Sequence, residues 1–166
     1  MREDFVETMV KKSNNMLLTA LMVLFYMICA GFVILALLAG SVSFFLIAII
    51  AGVIAYICGH FSKIEYEYSY CDREMDVDAI YSQNTRRHKA TYDLNKMEAM
   101  VRINGSKMKE FAGRNLKTID YSSGIRENKD SVYAIFYDGT TKLLIEPDEK
   151  LLEAIKYMFP RKVFED

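Results

Sequence analysis

The chain has 166 residues, a formal net charge of −1 at pH 7 and 52% hydrophobic residues. That balance excludes bulk electrostatic attraction to nucleic acid. Three cysteines with no Cys-x-x-Cys pair supply neither a disulfide framework nor a zinc cluster, a pattern compatible with a reducing cytoplasm. The averages hide a segregation. Between Lys12 and His60 there is no Asp, Glu, Lys, Arg or His, whereas from Phe61 onward 18 Lys and Arg face 19 Asp and Glu.

Residues 1–15 read as a short cytoplasmic lead. Phe5, Met9 and Val10 fall at i, i+4 and i+5, the spacing of an apolar helical stripe on a membrane surface or of a frayed start to the next helix. Residues 16–59 follow as one apolar run. A helix needs about 20 apolar residues to cross roughly 30 Å of hydrocarbon, so a run twice that long predicts two crossings. The break falls at Ala39-Gly40-Ser41, where glycine accepts a tight turn. The helices are expected over 16–38 and 42–59. A cleaved signal peptide followed by one anchor fits less well, because its apolar core would be too long.

In the second helix Ala48, Gly52, Ala55 and Gly59 recur at spacings of four, three and four, which places them on one face. Small residues let membrane helices approach closely. The face serves either packing within the hairpin, the favoured reading, or dimerisation. No ionisable residue interrupts either span, so a transport path or proton relay is not expected. Arg2, Lys11 and Lys12 precede the first helix, and His60 and Lys63 follow the second. By the positive-inside rule both termini are cytoplasmic, softened only slightly by Glu3, Asp4 and Glu7.

From Ile64 the period changes to two. Ile64, Tyr66, Tyr68 and Tyr70 alternate with Glu65, Glu67 and Ser69, as in a strand with one aromatic face. Further strands are expected at 75–81, 88–93, 97–103, 116–121, 131–137 and 142–146. A long polar loop covers 104–115, and Asp138-Gly139 is a hairpin turn. Pro147 ends strand pairing. Asp148 caps a helix whose stripe is Leu151, Leu152, Ile155, Met158 and Phe159, stopped by Pro160.

Few residues suggest chemistry. His60 and His88 stand apart without metal-ligand neighbours, so no metal and no cofactor is expected. No phosphate loop and no Ser or Cys nucleophile motif is present. Asp76 and Asp78 share a strand face but read as solvated. Ser122 and Ser123 read as turn residues, and no catalytic residue is assigned. The functional signal is electrostatic: Arg86, Arg87 and Lys89 flank His88, and Arg102, Lys107, Lys109, Arg114 and Lys117 surround the long loop with only Glu110 opposed. Cations held near an anionic leaflet gain about 1 kcal/mol each. An ordinary solvated loop is the competing reading.

Seven strands and a C-terminal helix resemble the pleckstrin-homology-like (PH-like) barrel, carried by Asp138-Gly139, Lys142-Leu-Leu-Ile-Glu-Pro147 and the helix from Asp148 to Phe159. The whole chain resembles an uncharacterised bacterial family of small two-span membrane proteins, through Ile64-Glu-Tyr-Glu-Tyr68, Met75-Asp-Val-Asp-Ala-Ile-Tyr81, Asp120-Tyr-Ser-Ser-Gly124 and Pro160-Arg-Lys-Val-Phe164. The resemblance implies a two-helix transmembrane hairpin plus an α+β domain at 60–166. That domain would have about seven antiparallel strands in a PH-like barrel or sandwich. The expected place is a bacterial inner membrane, spanned twice. The expected role is a non-enzymatic adaptor or sensor whose partners are the lipid bilayer and anionic headgroups. A second class of role is assembly, pairing a strand edge or helix-side groove with a peptide of a membrane or cytoplasmic protein.

Overall fold

The computed structural model describes residues 5–13, 15–111 and 113–165. Arg2, Glu3 and Asp4, which enter the sidedness expectation, and Ala112 of the long loop lie outside the described residues. The chain divides into two compact units. One comprises residues 14–64 together with Tyr81–Thr85; the other comprises residues up to Ser13, Glu65–Ile80 and Arg86 onward.

The first unit is built on two helices, α1 (Met16–Ala39) and α2 (Val42–Ser62). Both are long and apolar enough to cross a membrane. Asn15 caps α1 by accepting from Leu17 N at 3.2 Å, and Gly40 ends it at φ +60. Only glycine takes that left-handed geometry without steric cost, which is why the turn sits there. The α2 end runs three residues past the expected Gly59, because Ser62 Oγ donates to Gly59 O and Ser82 Oγ donates to His60 O.

The second unit holds two sheets. The first has the order β1-β2-β3-β4, with β1 at Val6–Lys11, β2 at Ile64–Cys71, β3 at Glu74–Tyr81 and β4 at Thr85–Asp93. The expected amphipathic lead is therefore a strand. Val6 pairs with Tyr70 and Lys11 with Glu65, antiparallel. The strand period places Thr8 and Val10 inward and Glu7, Met9 and Lys11 outward, so the apparent helical stripe of Phe5, Met9 and Val10 is split. The second sheet has the order β6-β8-β7-β5-β9. Its strands are β5 (Met97–Arg102), β6 (Lys117–Asp120), β7 (Tyr133–Tyr137), β8 (Thr141–Ile145) and β9 (Val163–Phe164).

These nine strands form two sheets and not a closed barrel, and they are not all antiparallel. β6 pairs with β8 and β5 with β9 in parallel. The first of these follows from the connection 121–132, which returns the chain to β7 beyond β8. The second follows from α4 (Glu149–Met158), which carries the chain back to the β5 edge. Asp148 caps α4 by accepting from Leu151 N at 2.8 Å.

The second sheet is covered on both faces. Met100, Ile135, Leu143 and Ile145 are fully buried on one side, and Leu151 and Ile155 of α4 are buried too. On the other side Ala99, Val101, Ala134 and Phe136 form a separate cluster. Ile103, Met108, Phe111, Leu116, Leu144 and Phe164 pack against it. The segment expected to be a polar loop is thus a lid folded onto the sheet, with a one-turn helix α3 (Met108–Phe111) at its centre.

Candidate functional site

The lid decides where its cations point. Phe111 stacks on Phe136 with ring centroids 4.4 Å apart, so the charged residues between the apolar anchors project outward. Arg114 pairs with Glu98 at 2.5 Å and lies over the Phe111 ring. Lys107 pairs with Glu110 at 2.8 Å. Arg102 donates to the Tyr133 hydroxyl at 3.0 Å, and that hydrogen bond holds its pKa above the usual value. Lys109 and Lys117 are exposed and make no ion pair among the described residues.

On β4 the pattern is similar. Arg86 pairs with Glu67 and reaches Asp78 at 3.7 Å, which lets Glu67 be buried. Arg87 and Lys89 are exposed on the same strand. The eight proposed cations therefore fall in two places, three on the first sheet and five around the lid. Sequence reasoning named Glu110 but missed Glu67, Asp78 and Glu98, because the fold and not sequence proximity brings them to Arg86 and Arg114. It also missed a polar relay across β3 and β4. Asp78 Oδ1 lies 2.9 Å from His88 Nδ1, Thr91 Oγ1 lies 3.3 Å from His88 Nε2, and Thr91 donates to Asp76. The relay is exposed and serves to tie the two strands.

A second feature is built around Asp120-Tyr-Ser-Ser-Gly124. Asp120 Oδ1 accepts from Ser122 N and Ser122 Oγ, and Gly124 turns the chain at φ +70. Glu146 accepts from Ser123 N at 3.1 Å and from Asn128 Nδ2 at 3.0 Å. Beneath it Tyr68 donates its hydroxyl to Tyr121 O at 2.6 Å. Burial pushes the Tyr68 phenol pKa well above its ordinary value. Beside this junction a cleft of about 400 Å³ is lined by Thr8 to Lys11 on one wall and by Ser123, Asn128 and Glu146 to Asp148 on the other. Thr8 Oγ1 donates to Asp148 Oδ1 at 2.8 Å, which ties β1 to the cap of α4.

The pattern of the family described as Bacterial PH-like domain (DUF6106) matches residues 2–165. The chain belongs to this family. Comparison with curated proteins and with solved structures gives no match. The DUF6106 match runs through α1 and α2, so the helical pair is part of the family pattern and not an appendage to it.

Within that pair the structure buries Ala48 and Ala55 and sets Gly52 and Gly59 against α1. A Cβ on Gly52 would lie 3.6 Å from Cys29 Sγ, and one on Gly59 would lie 2.9 Å from Met22 Sδ. All four thus share the face that meets the neighbouring helix. Among the described residues no group of three His, Cys, Asp or Glu is arranged to hold a metal ion.

Proposed function

We propose that this DUF6106 member is a membrane-anchored, non-enzymatic adaptor or sensor. Its PH-like unit is held at the cytoplasmic face of a bacterial inner membrane by α1 and α2, with both termini cytoplasmic. It contacts anionic lipid through the lid.

The observation that supports this reading is the build of residues 102–117. Five cations stand there against the single carboxylate of Glu110, on a segment tacked down by Ile103, Met108, Phe111 and Leu116. Anchoring by apolar side chains removes the entropy cost of ordering the charges at a surface. Lys109 of the lid and Lys117 at the start of β6, with Arg87 on β4, spend no charge on an internal pair among the described residues. Tethering adds a high effective concentration, so contacts of about 1 kcal/mol per cation are populated.

The test uses the full-length chain in nanodiscs of phosphatidylcholine, with and without phosphatidylglycerol. Amides over 108–117 are expected to be protected from hydrogen exchange in the anionic discs only. The protection fades as salt rises and is lost when Arg87, Lys109 and Lys117 are all changed to Gln. Equal exchange in the two lipid compositions would end the lipid reading.

A further inference from the structure

A different surface points to a second copy of this chain. Among the described residues β1 is the outermost strand of the first sheet, paired on one side only, with β2. An outer strand presents a row of backbone N–H and C=O groups ready to pair with another strand, and proteins normally cover or disrupt such an edge. Here the cleft separates Thr8, Met9, Val10 and Lys11 from Ser123, Asn128 and Glu146 to Asp148, so no described strand is paired there. Beyond Lys11 the edge is already used, because Ser13 N donates to Ser123 O at 2.7 Å. The open stretch is therefore Val6–Lys11.

The side chains on this stretch choose the occupant. Glu7, Met9 and Lys11 form the outward face, with Met9 59% exposed and the Lys11 side chain 77% exposed. Glu7 makes no ion pair among the described residues. Among the described residues Lys11 reaches only Glu65, at 3.7 Å, from the strand directly opposite. An antiparallel neighbour that fits this face carries an acid four residues before a base. The sequence Glu7-Thr-Met-Val-Lys11 has that order itself.

We propose that two copies join through β1, antiparallel and centred on Met9. Glu7 of each copy then lies opposite Lys11 of the other, and the two Met9 side chains meet at the two-fold axis. Opposite charges facing each other across strands are favourable and like charges unfavourable, so this register is selected over its neighbours. The row Glu65, Lys11 and Glu7 of the second copy alternates in sign across the junction. The contact is isologous and closes at two copies, because pairing consumes the open edge of both. This inference does not depend on lipid contact.

The test is disulfide trapping of the full-length chain in membranes, with Cys29 and Cys58 changed to Ala and Cys71 to Ser. Directly opposed residues in an antiparallel pair have Cα atoms about 4.5–5.5 Å apart, within the reach of a disulfide. Met9→Cys is expected to give a disulfide-linked dimer on mild oxidation, and Glu7→Cys alone is not. Co-expressed Glu7→Cys and Lys11→Cys chains link to each other. In the Met9→Cys chain, Glu7→Lys or Lys11→Glu cuts the linked fraction about tenfold, and Glu7→Lys with Lys11→Glu together restores it. The proposal fails if Met9→Cys links no better than Glu7→Cys, if the double charge exchange does not restore linkage, or if Met9→Cys traps a different protein instead of its own copy.

Discussion

Leu38 in α1 is 81% exposed, and Phe136 in β7 is 1% exposed. Leu17, Met27, Leu37 and Tyr56 are likewise open along the helices, while Tyr68, Met100, Leu143 and Ile145 are sealed within the sheets. The same apolar chemistry thus lies open on the helices and sealed in the sheets. In the helical pair burial falls on small residues, Ala36 of α1 and Ala48, Ala51, Ala55 and Ser62 of α2, and the large apolar side chains stay outward, as in helices long and apolar enough to cross a membrane. In the two-sheet unit burial is internal, and stability rests on close packing.

The contrast can be broken first at Phe136. Phe136→Ala empties the ring that Phe111 stacks upon and unseats the lid, at an expected cost of about 3–5 kcal/mol. Chemical denaturation of the full-length chain in detergent, followed by near-UV circular dichroism, measures it. An unchanged midpoint would mean that the lid carries no load.

Tyr68→Phe comes next. It leaves the Tyr121 carbonyl without its buried donor, which costs about 1–3 kcal/mol on the same assay. The same phenol sets an alkaline limit. Its folded pKa lies above the unfolded value, so its contribution is intact below about pH 10. Above that pH only the unfolded chain gives up the proton, and stability falls by about 1.4 kcal/mol per pH unit. A pH series of denaturation midpoints should decline less steeply for Tyr68→Phe than for the parent chain.

A smaller effect of the opposite sign is expected at the β2–β3 turn. Asp72 and Arg73 both take positive φ, at 44 and 69, as a two-residue hairpin with the right twist requires. Arg73→Gly removes the steric cost of the left-handed region and should stabilise the unit by about 1 kcal/mol, read as a raised midpoint. Smallest of all is Leu38→Ala, expected to shift the midpoint by less than about 0.5 kcal/mol in detergent, because a side chain 81% exposed gives up little packing. A loss as large as that of Phe136→Ala would show that α1 packs against something the helical pair does not supply.

Much of the architecture was legible in one dimension because its signals are local. The uncharged run set the two helices, Gly40 the turn between them, and Asp138-Gly139 the β7–β8 hairpin. Asp148 and Pro147 set the start of α4. β1 was hidden because Phe5, Met9 and Val10 imitate a helical stripe. The usable signal was Val6, Thr8 and Val10, three β-branched residues at period two. β9 is two residues long and shows no period at all. The lid was misread because Ile103, Met108, Phe111 and Leu116 are spread among polar residues. Their common destination, the cluster of Ala99, Val101, Ala134 and Phe136, exists only after β5 and β7 pair.

The proposed site divides in the same way. The clustering of cations is visible along the chain, but Glu67 meets Arg86 only across strands, and Glu98 meets Arg114 only once the lid folds onto the sheet. The cleft beside β1 joins residues 8–11 to residues 123–148, a separation no local pattern spans.

By itself the sequence determined a membrane-length helical pair, its turn, and a strand-rich unit with a capped final helix, since these follow from hydropathy and backbone preference over short windows. Tertiary structure decided which cations are neutralised, that the polar loop is a lid, and that β1 is an open edge. Those outcomes depend on pairings between residues far apart in the chain, whose energies exist only once the sheets have formed.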